Sequence, residues 1–235
     1  MAILSVDLAY KRYIDIGAVV MEQQHDSIKG KLINIPLVGE PSCAVLADWL
    51  EGFCLREGIR IIILDGPQGW KSTDNGLLHS RCCERELNTP AKTGKPSSVK
   101  PANYGPFVKF SIGVYDALSS FGWERLSRIG SILKEQRLLI ESFPLSAWRS
   151  LGIKHLPAKA KKPNLTWWLD VLQKRFALHP SSTPTHDQLQ AMVSGMAGLA
   201  IESNCWDCCS VAGIPPVTED GYWCEGFIVN PRCQN

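Results

Sequence analysis

Four carboxylates stand out by residue type and place: Asp7, Asp65, Glu141 and Asp187. Three of them sit near the end of short apolar runs. Ala2 to Leu8 carries Asp7, Arg60 to Asp65 reads Arg-Ile-Ile-Ile-Leu-Asp, and Arg137 to Phe143 contains Leu-Leu-Ile-Glu-Ser-Phe with Glu141 near its end. The fourth, Asp187, falls in the first turn of a helical pattern after Thr185-His186. If the three runs are parallel neighbouring strands, their C-terminal ends share one edge, which is where open α/β sheets place their ligands. Carboxylates gathered there repel one another and resist desolvation unless a cation sits among them. Oxygen ligands without thiolate suit Mg²⁺ or Mn²⁺, and two such ions would activate a water and stabilise the leaving oxygen of a phosphodiester. Taken singly, each acid is also what a turn or helix cap would use, and Asp187 is a favourable charge at a helix N-terminus. Only their convergence would make a site.

Convergence depends on the elements that carry them. Ile14 to Met21 and Leu32 to Val38 read as two more strands, forming a meander with the first. Ser42 opens a helix whose apolar residues Val45, Leu46, Trp49, Leu50 and Phe53 recur at helical spacing, and Gly58 closes it. Arg60 to Asp65 does not alternate, as expected of a parallel strand buried on both faces. Helices are also expected at Leu77 to Leu87, Ile112 to Phe121 and Leu165 to Phe176. The stretch from about 88 to 110, rich in Pro, Gly, Ser and Lys, reads as a mobile insertion, about 154–163 as a basic linker, and about 221–230 as a hairpin. In the final helix Thr185 and Gln188 have capping-box spacing. Its face of Asp187, Gln190, Ala191, Ser194 and Gly198 is mostly small, so the helix can lie close to the sheet and carry Asp187 to the strand ends.

The order β-β-β-α-β, then β, then α, is the ribonuclease H-like topology. The expected fold is therefore one α/β domain over residues 1–235, a mixed sheet flanked by helices. Ser5-Val6-Asp7, Ile63-Leu64-Asp65-Gly66-Pro67, Arg81-Cys82-Cys83-Glu84-Arg85-Glu86, Ile140-Glu141-Ser142-Phe143-Pro144 and His186-Asp187-Gln188-Leu189-Gln190-Ala191 resemble a family of predicted ribonuclease H-like nucleases, domain of unknown function 429. Glu225-Gly226-Phe227-Ile228 is similar to that family's closing hairpin. The resemblance implies the fold and a metal-dependent, nuclease-like site with Asp7, Asp65, Glu141 and Asp187 as its acids. It does not supply a substrate.

Lys+Arg 25 against Asp+Glu 23 gives net +2, so affinity for nucleic acid must come from a local patch rather than the whole surface. Arg81 and Arg85, one helical turn apart, could hold a phosphate, or could belong to a solvated face with Glu84 and Glu86. Residues 87–115 and 142–169 contain no acid. Within the second segment Lys154, Lys161 and Lys162, with His186 beyond it, are the expected substrate contacts, and Tyr104, Phe107, Trp167 and Trp168 could stack on unpaired bases.

No apolar run is long enough for a membrane span. The N-terminal apolar run contains an acid and is followed by basic residues, the reverse of an export signal, so a cytoplasmic protein is expected. The nine cysteines then read as thiols first, metal ligands second and disulfides last. Cys205 and Cys208 form one C-x2-C, which Cys224 and Cys233 do not repeat as a zinc site would. Two rival readings keep the fold. One is a non-catalytic module that binds nucleic acid or a partner, favoured by the lack of a clear first-helix glutamate, where only Asp48 and Glu51 are available. The other is an actin-like phosphoryl transferase, disfavoured because Asp7 is followed by Leu-Ala-Tyr-Lys-Arg and not by a glycine-rich phosphate turn.

Overall fold

The computed structural model describes residues 2–130, 132–133 and 135–233. The chain opens with β1 (Ala2–Asp7), β2 (Gly17–Gln24) and β3 (Ser27–Ile33), followed by α1 (Cys43–Glu57) and β4 (Ile61–Asp65). This is the expected meander and crossover, with shifted bounds. A 3₁₀ turn at Tyr13–Asp15 replaces the start of the second run. The third strand lies earlier than Leu32 to Val38, because Gln24 pairs directly with Ser27 across a two-residue turn in which His25 has φ 51. The run's apolar end leaves the sheet, and Val38 is 92% exposed.

Beyond β4 come α2 (Cys82–Leu87), a small hairpin of β5 (Lys92–Thr93) and β6 (Val99–Lys100), α3 (Gly105–Ser120), β7 (Glu124–Arg125) and β8 (Leu138–Ser142). The segment expected to be a mobile insertion therefore holds a hairpin and the first turn of a helix that starts early, with Pro106 in its first turn. The helix expected from Leu77 begins only after Arg81, whose backbone is extended and whose N–H donates to Glu84 Oε2 at 3.1 Å. The rest of the chain is α4 (Pro144–Ser150), α5 (Thr166–Phe176), β9 (Leu178–Pro180), α6 (His186–Glu202), β10 (Cys209–Glu219) and β11 (Tyr222–Pro231). The closing hairpin is thus longer than 221–230 and is built into the sheet. Cys205 and Cys208, the C-x2-C pair, are joined by a disulfide.

The main sheet runs β10-β11-β8-β4-β1-β2-β3-β9, with β7 pairing beside β8. β4 is parallel to β1 and β8, β2 is antiparallel to β1, and β11 is parallel to β8. This mixed sheet flanked by helices is the α/β, ribonuclease H-like architecture expected from the element order. Its central strands alternate between two cores. Ile3, Ile61, Ile63 and Ile140 pack on the α6 side with Trp148, Leu189, Met192 and Val193. Leu4, Val6, Ile62, Leu64 and Leu139 pack on the other side with Leu46 and Leu50 of α1 and Val114, Tyr115 and Leu118 of α3. Among the described residues no helix is long and apolar enough to cross a membrane.

Glycines set how closely α6 approaches the sheet. A Cβ on Gly195 would collide with Met21 and lie 2.9 Å from Ser5 Cβ, and one on Gly198 would lie 2.8 Å from Ile63 Cγ1. At the N-terminus of α6 the close residue is on the strand: a Cβ on Gly17 would run into the backbone of Asp187 and Gln188. Thr185 and Gln188 form the expected capping box, with Gln188 N–H to Thr185 Oγ1 at 3.2 Å and Thr185 N–H to Gln188 Oε1 at 2.9 Å. Gly17→Ala should therefore push the start of α6 off β2 and cost about 1–3 kcal/mol in urea unfolding, as overpacking does. A loss below about 0.5 kcal/mol would mean the helix start is free to shift.

Candidate functional site

Strand register places the first two acids side by side. In the parallel β1–β4 ladder Asp7 is the register partner of Asp65, and across β2 it faces Gly17. Ile3 and Ser5 precede Asp7 on the α6 face, and Ile61 and Ile63 precede Asp65 on the same face. Because Gly17 admits the helix start so closely, Asp187 arrives beside Asp7. Three of the four acids predicted to converge, Asp7, Asp65 and Asp187, therefore share this edge.

The electrostatics follow from that crowding. The Asp7 carboxyl is pushed well above its usual value by removal from water, by the charge of Asp65 and its hydrogen bond with it, and by Asp187, against the opposing charge of Lys159. Asp65 is raised to about 7, chiefly by removal from water, with Glu141 adding repulsion and the hydrogen bond from Asp7 relieving part of it. Both carboxyls therefore resist ionisation. Asp187 is paired instead with Lys159 Nζ, and the His186 ring bridges from Asp187 Oδ1 at 3.3 Å to the Pro157 carbonyl at 2.9 Å. The hydrogen bond to Asp187 is the main reason the His186 proton is held above its ordinary value.

Asp15, which the sequence reading did not single out, completes the cluster. It accepts from Arg12 Nε at 2.7 Å and from Lys159 Nζ at 2.8 Å. These two cations hold its carboxyl down at about 2. Asp7, Leu8, Ala9, Arg12, Asp15, Lys159, Ala160 and Asp187 line an open depression of about 440 Å³. A wider, mostly apolar cleft of about 710 Å³ adjoins it, walled by Ile14, Ile35, Leu37 and Val38 and reaching Thr185 and Gln188.

The fourth acid lies on the far face, where it lines a cavity with Asp65 but is turned away from Asp7 and Asp187. Glu141 is the register partner of Leu64, while Asp65 pairs with Ser142, so Glu141 is one residue out of step. Strand alternation then turns it, after Leu139, to the α1 and α3 face. There it is buried in a two-pronged pair with Arg81, Nη1 to Oε2 at 2.7 Å and Nη2 to Oε1 at 2.6 Å, and accepts the Gln68 N–H at 3.0 Å. Arg81 also contacts Glu84 Oε1 at 3.2 Å and has a side chain only 1% exposed. Two expectations are corrected by this arrangement: Glu141 is not a ligand beside Asp7, and Arg81 is a structural counter-ion rather than a phosphate contact. Arg85 is solvent-exposed on α2.

Lys154, Lys161 and Lys162 are exposed on the segment between α4 and α5 that also brings Lys159 to the acids. Trp167 is half-exposed, whereas Trp168 packs against the core and donates Nε1–H to the Lys154 carbonyl at 2.7 Å. Tyr104 and Phe107 help wall a smaller cavity of about 190 Å³ that reaches Asp65, Arg81 and Glu141 from the far face.

No family model matches the chain, and no curated protein matches its sequence. Solved structures do resemble it. The structure of Thermus thermophilus RuvC is 10% identical with a TM-score of 0.43, covering 91% of this chain and 99% of that one. The T. thermophilus RuvC in complex with Holliday junction substrate is 11% identical with a TM-score of 0.41, covering 91% and 98%.

Whether the acids suit a divalent ion is decided by the donors themselves. Among the described residues no three His, Cys, Asp or Glu side chains converge closely enough to hold a metal ion, so a four-carboxylate cage for two ions is not built. Asp7 and Asp65, two hard oxygen donors in contact and short of positive charge, do fit one Mg²⁺ or Mn²⁺, an ion usually bound through one or two carboxylates plus waters and substrate phosphate.

Two outcomes follow. Carboxyls raised in the folded state bind more protons than in the unfolded chain between their ordinary value and about 7, so this pair weakens the apo protein as pH climbs through that window. Chemical denaturation in EDTA should show Asp7→Asn matching wild type near pH 4 and gaining on it up to pH 8; a constant difference would mean the pair carries no strain. Second, Arg81→Ala strands two buried glutamates and should cost about 3–5 kcal/mol, against near zero for Arg85→Ala. Equal stability of the two variants would return Arg81 to the surface role.

Proposed function

We propose that this protein is a divalent-metal-dependent phosphodiesterase acting on nucleic acid. The observation that carries the reading is Asp7, held in register beside Asp65 and lining an open cleft into which α6 delivers Asp187. Repulsion and desolvation at such a pair are a standing cost that a bound cation would remove. Asp7 and Asp65 would hold one Mg²⁺ or Mn²⁺, which when bound would polarise a phosphate and lower the pKa of a water.

The chain's own groups do the rest. Asp187 lines the cleft beside the Lys159 ammonium, and the His186 bridge fixes its rotamer. Lys154, Lys161, Lys162 and Arg85 would touch backbone phosphates, contacts that set register without reading bases and that weaken as salt rises. The motif resemblance to the domain of unknown function 429 family agrees with this assignment.

The non-catalytic module is the second reading, and one observation favours it: Lys159 already neutralises Asp187 without any metal. Cleavage separates the two. In Mn²⁺, wild type should degrade unpaired or branched DNA or RNA, and Asp7→Asn should lose at least about 100-fold while its metal-free form is at least as stable as metal-free wild type. Lys161→Ala with Lys162→Ala should leave kcat largely intact and flatten the salt dependence of binding by roughly one to two units of slope. Wild-type and Asp7→Asn preparations of equal activity would reject the nuclease reading.

A further inference from the structure

Lys159 reaches the acidic cleft from a short 3₁₀ turn, Lys159–Lys161, in the segment between α4 and α5. Its side chain is 48% exposed, yet its ammonium is held between Asp15, at 2.8 Å, and Asp187. These acids lie on two separate parts of the chain, the turn after β1 and the first turn of α6. Asp7 also feels its charge.

An exposed lysine gains little from one surface ion pair and loses rotamer freedom in making it. Here two carboxylates direct it, and the segment that carries it is fastened to α6 a second time through the His186 contact with the Pro157 carbonyl. Burial lowers the Lys159 proton affinity, but Asp15 and Asp187 outweigh this, so the group stays an ammonium throughout the neutral range.

Charges at this strand edge can be matched one by one. Arg12 answers Asp15 and Lys159 answers Asp187, which leaves the Asp7–Asp65 pair as the unbalanced charge. That is room for one added hard cation. Phosphodiester hydrolysis assisted by two cations places one near the attacking oxygen and the other near the leaving oxygen.

Resting on the phosphodiesterase reading, we infer that the site takes a single divalent ion at Asp7 and Asp65, and that the Lys159 ammonium is the second cation, a catalytic residue that meets the leaving oxygen beside Asp187. In the reaction one P–O bond forms to the water oxygen and the P–O bond to the leaving oxygen breaks. The water gives up its proton to solvent, and the leaving oxygen takes one from solvent. Lys159 keeps its proton and contributes charge alone.

Calorimetric titration of metal-free protein with MnCl₂ tests this without relying on turnover. Wild type and Lys159→Arg should take up one ion per chain. Lys159→Ala, which vacates the Asp187 position, should take up a second, weaker ion, and its cleavage, slowed at least about 100-fold, should recover as Mn²⁺ is raised. Circular dichroism melts confirm that both variants fold. Two ions in wild type, one ion in Lys159→Ala, or unimpaired cleavage by Lys159→Ala would each overturn the inference while leaving the nuclease reading in place. No Asp7-dependent uptake by wild type would overturn both.

Discussion

Main-chain hydrogen bonding between β1 and β4 forces two like charges together. A parallel ladder with Asp7 opposite Asp65 leaves the carboxyls no choice of neighbour, because moving either by one position would turn every core residue of its strand to the wrong face. The repulsion is therefore bound to the packing of Ile3, Ile61 and Ile63 on one side and Val6, Ile62 and Leu64 on the other. A fold stabilised by two complete cores can hold a strained pair that an isolated loop would relax. The same rigidity keeps the donors close together before any ligand arrives.

The opposite side of the same sheet edge solves its charge problem differently. Glu141 and Glu84 share Arg81, while Glu225, fully buried on β11, accepts from Ser72 N–H, Ser72 Oγ, Asn75 Nδ2 and Cys82 N–H. These carboxylates tie the irregular stretch from Gln68 to Thr93 to β8 and β11. Each of these charges has a protein partner, which is the usual condition for burying one. On the α6 face, by contrast, Asp7 and Asp65 answer one another. That asymmetry across one sheet separates scaffold from site more clearly than the mere presence of acids does.

Strand-end acids, the capping box and the small face of α6 were all legible in the sequence, because each is local: a β-branched run ended by Asp, Thr185 three residues before Gln188, Gly198 on a helical stripe. Glu141 was not, since its face depends on how β8 aligns with β4, and Leu-Leu-Ile-Glu-Ser does not reveal a one-residue offset. Arg81 failed for the same reason, its buried partner being 60 positions away. Asp15 was missed, and Lys159 was legible only as one lysine of the acid-free basic segment. Their meeting requires the 3₁₀ turn after β1 and the loop before α5 to fold over one edge, a long-range fact with no periodicity to announce it. The third strand was misplaced because Leu32 to Val38 is the more apolar run, whereas a tight turn at His25 decided the pairing.

What the cleft lacks is as instructive as what it contains. Its cations are side chains on the rim, Arg12 and Lys159, and both are spent on Asp15 and Asp187. A phosphate approaching the Asp7–Asp65 pair would meet net negative charge and be repelled, so the carboxyls by themselves cannot bind an anionic backbone. The exposed Lys154, Lys161 and Lys162 lie on the same segment as Lys159, which touches the acids. Affinity for a polyanion and tolerance of the acid pair thus call for opposite charges within one cleft. A hard cation between Asp7 and Asp65 satisfies both at once, since it relieves the carboxyls and turns their edge of the cleft from repelling a phosphate to holding one.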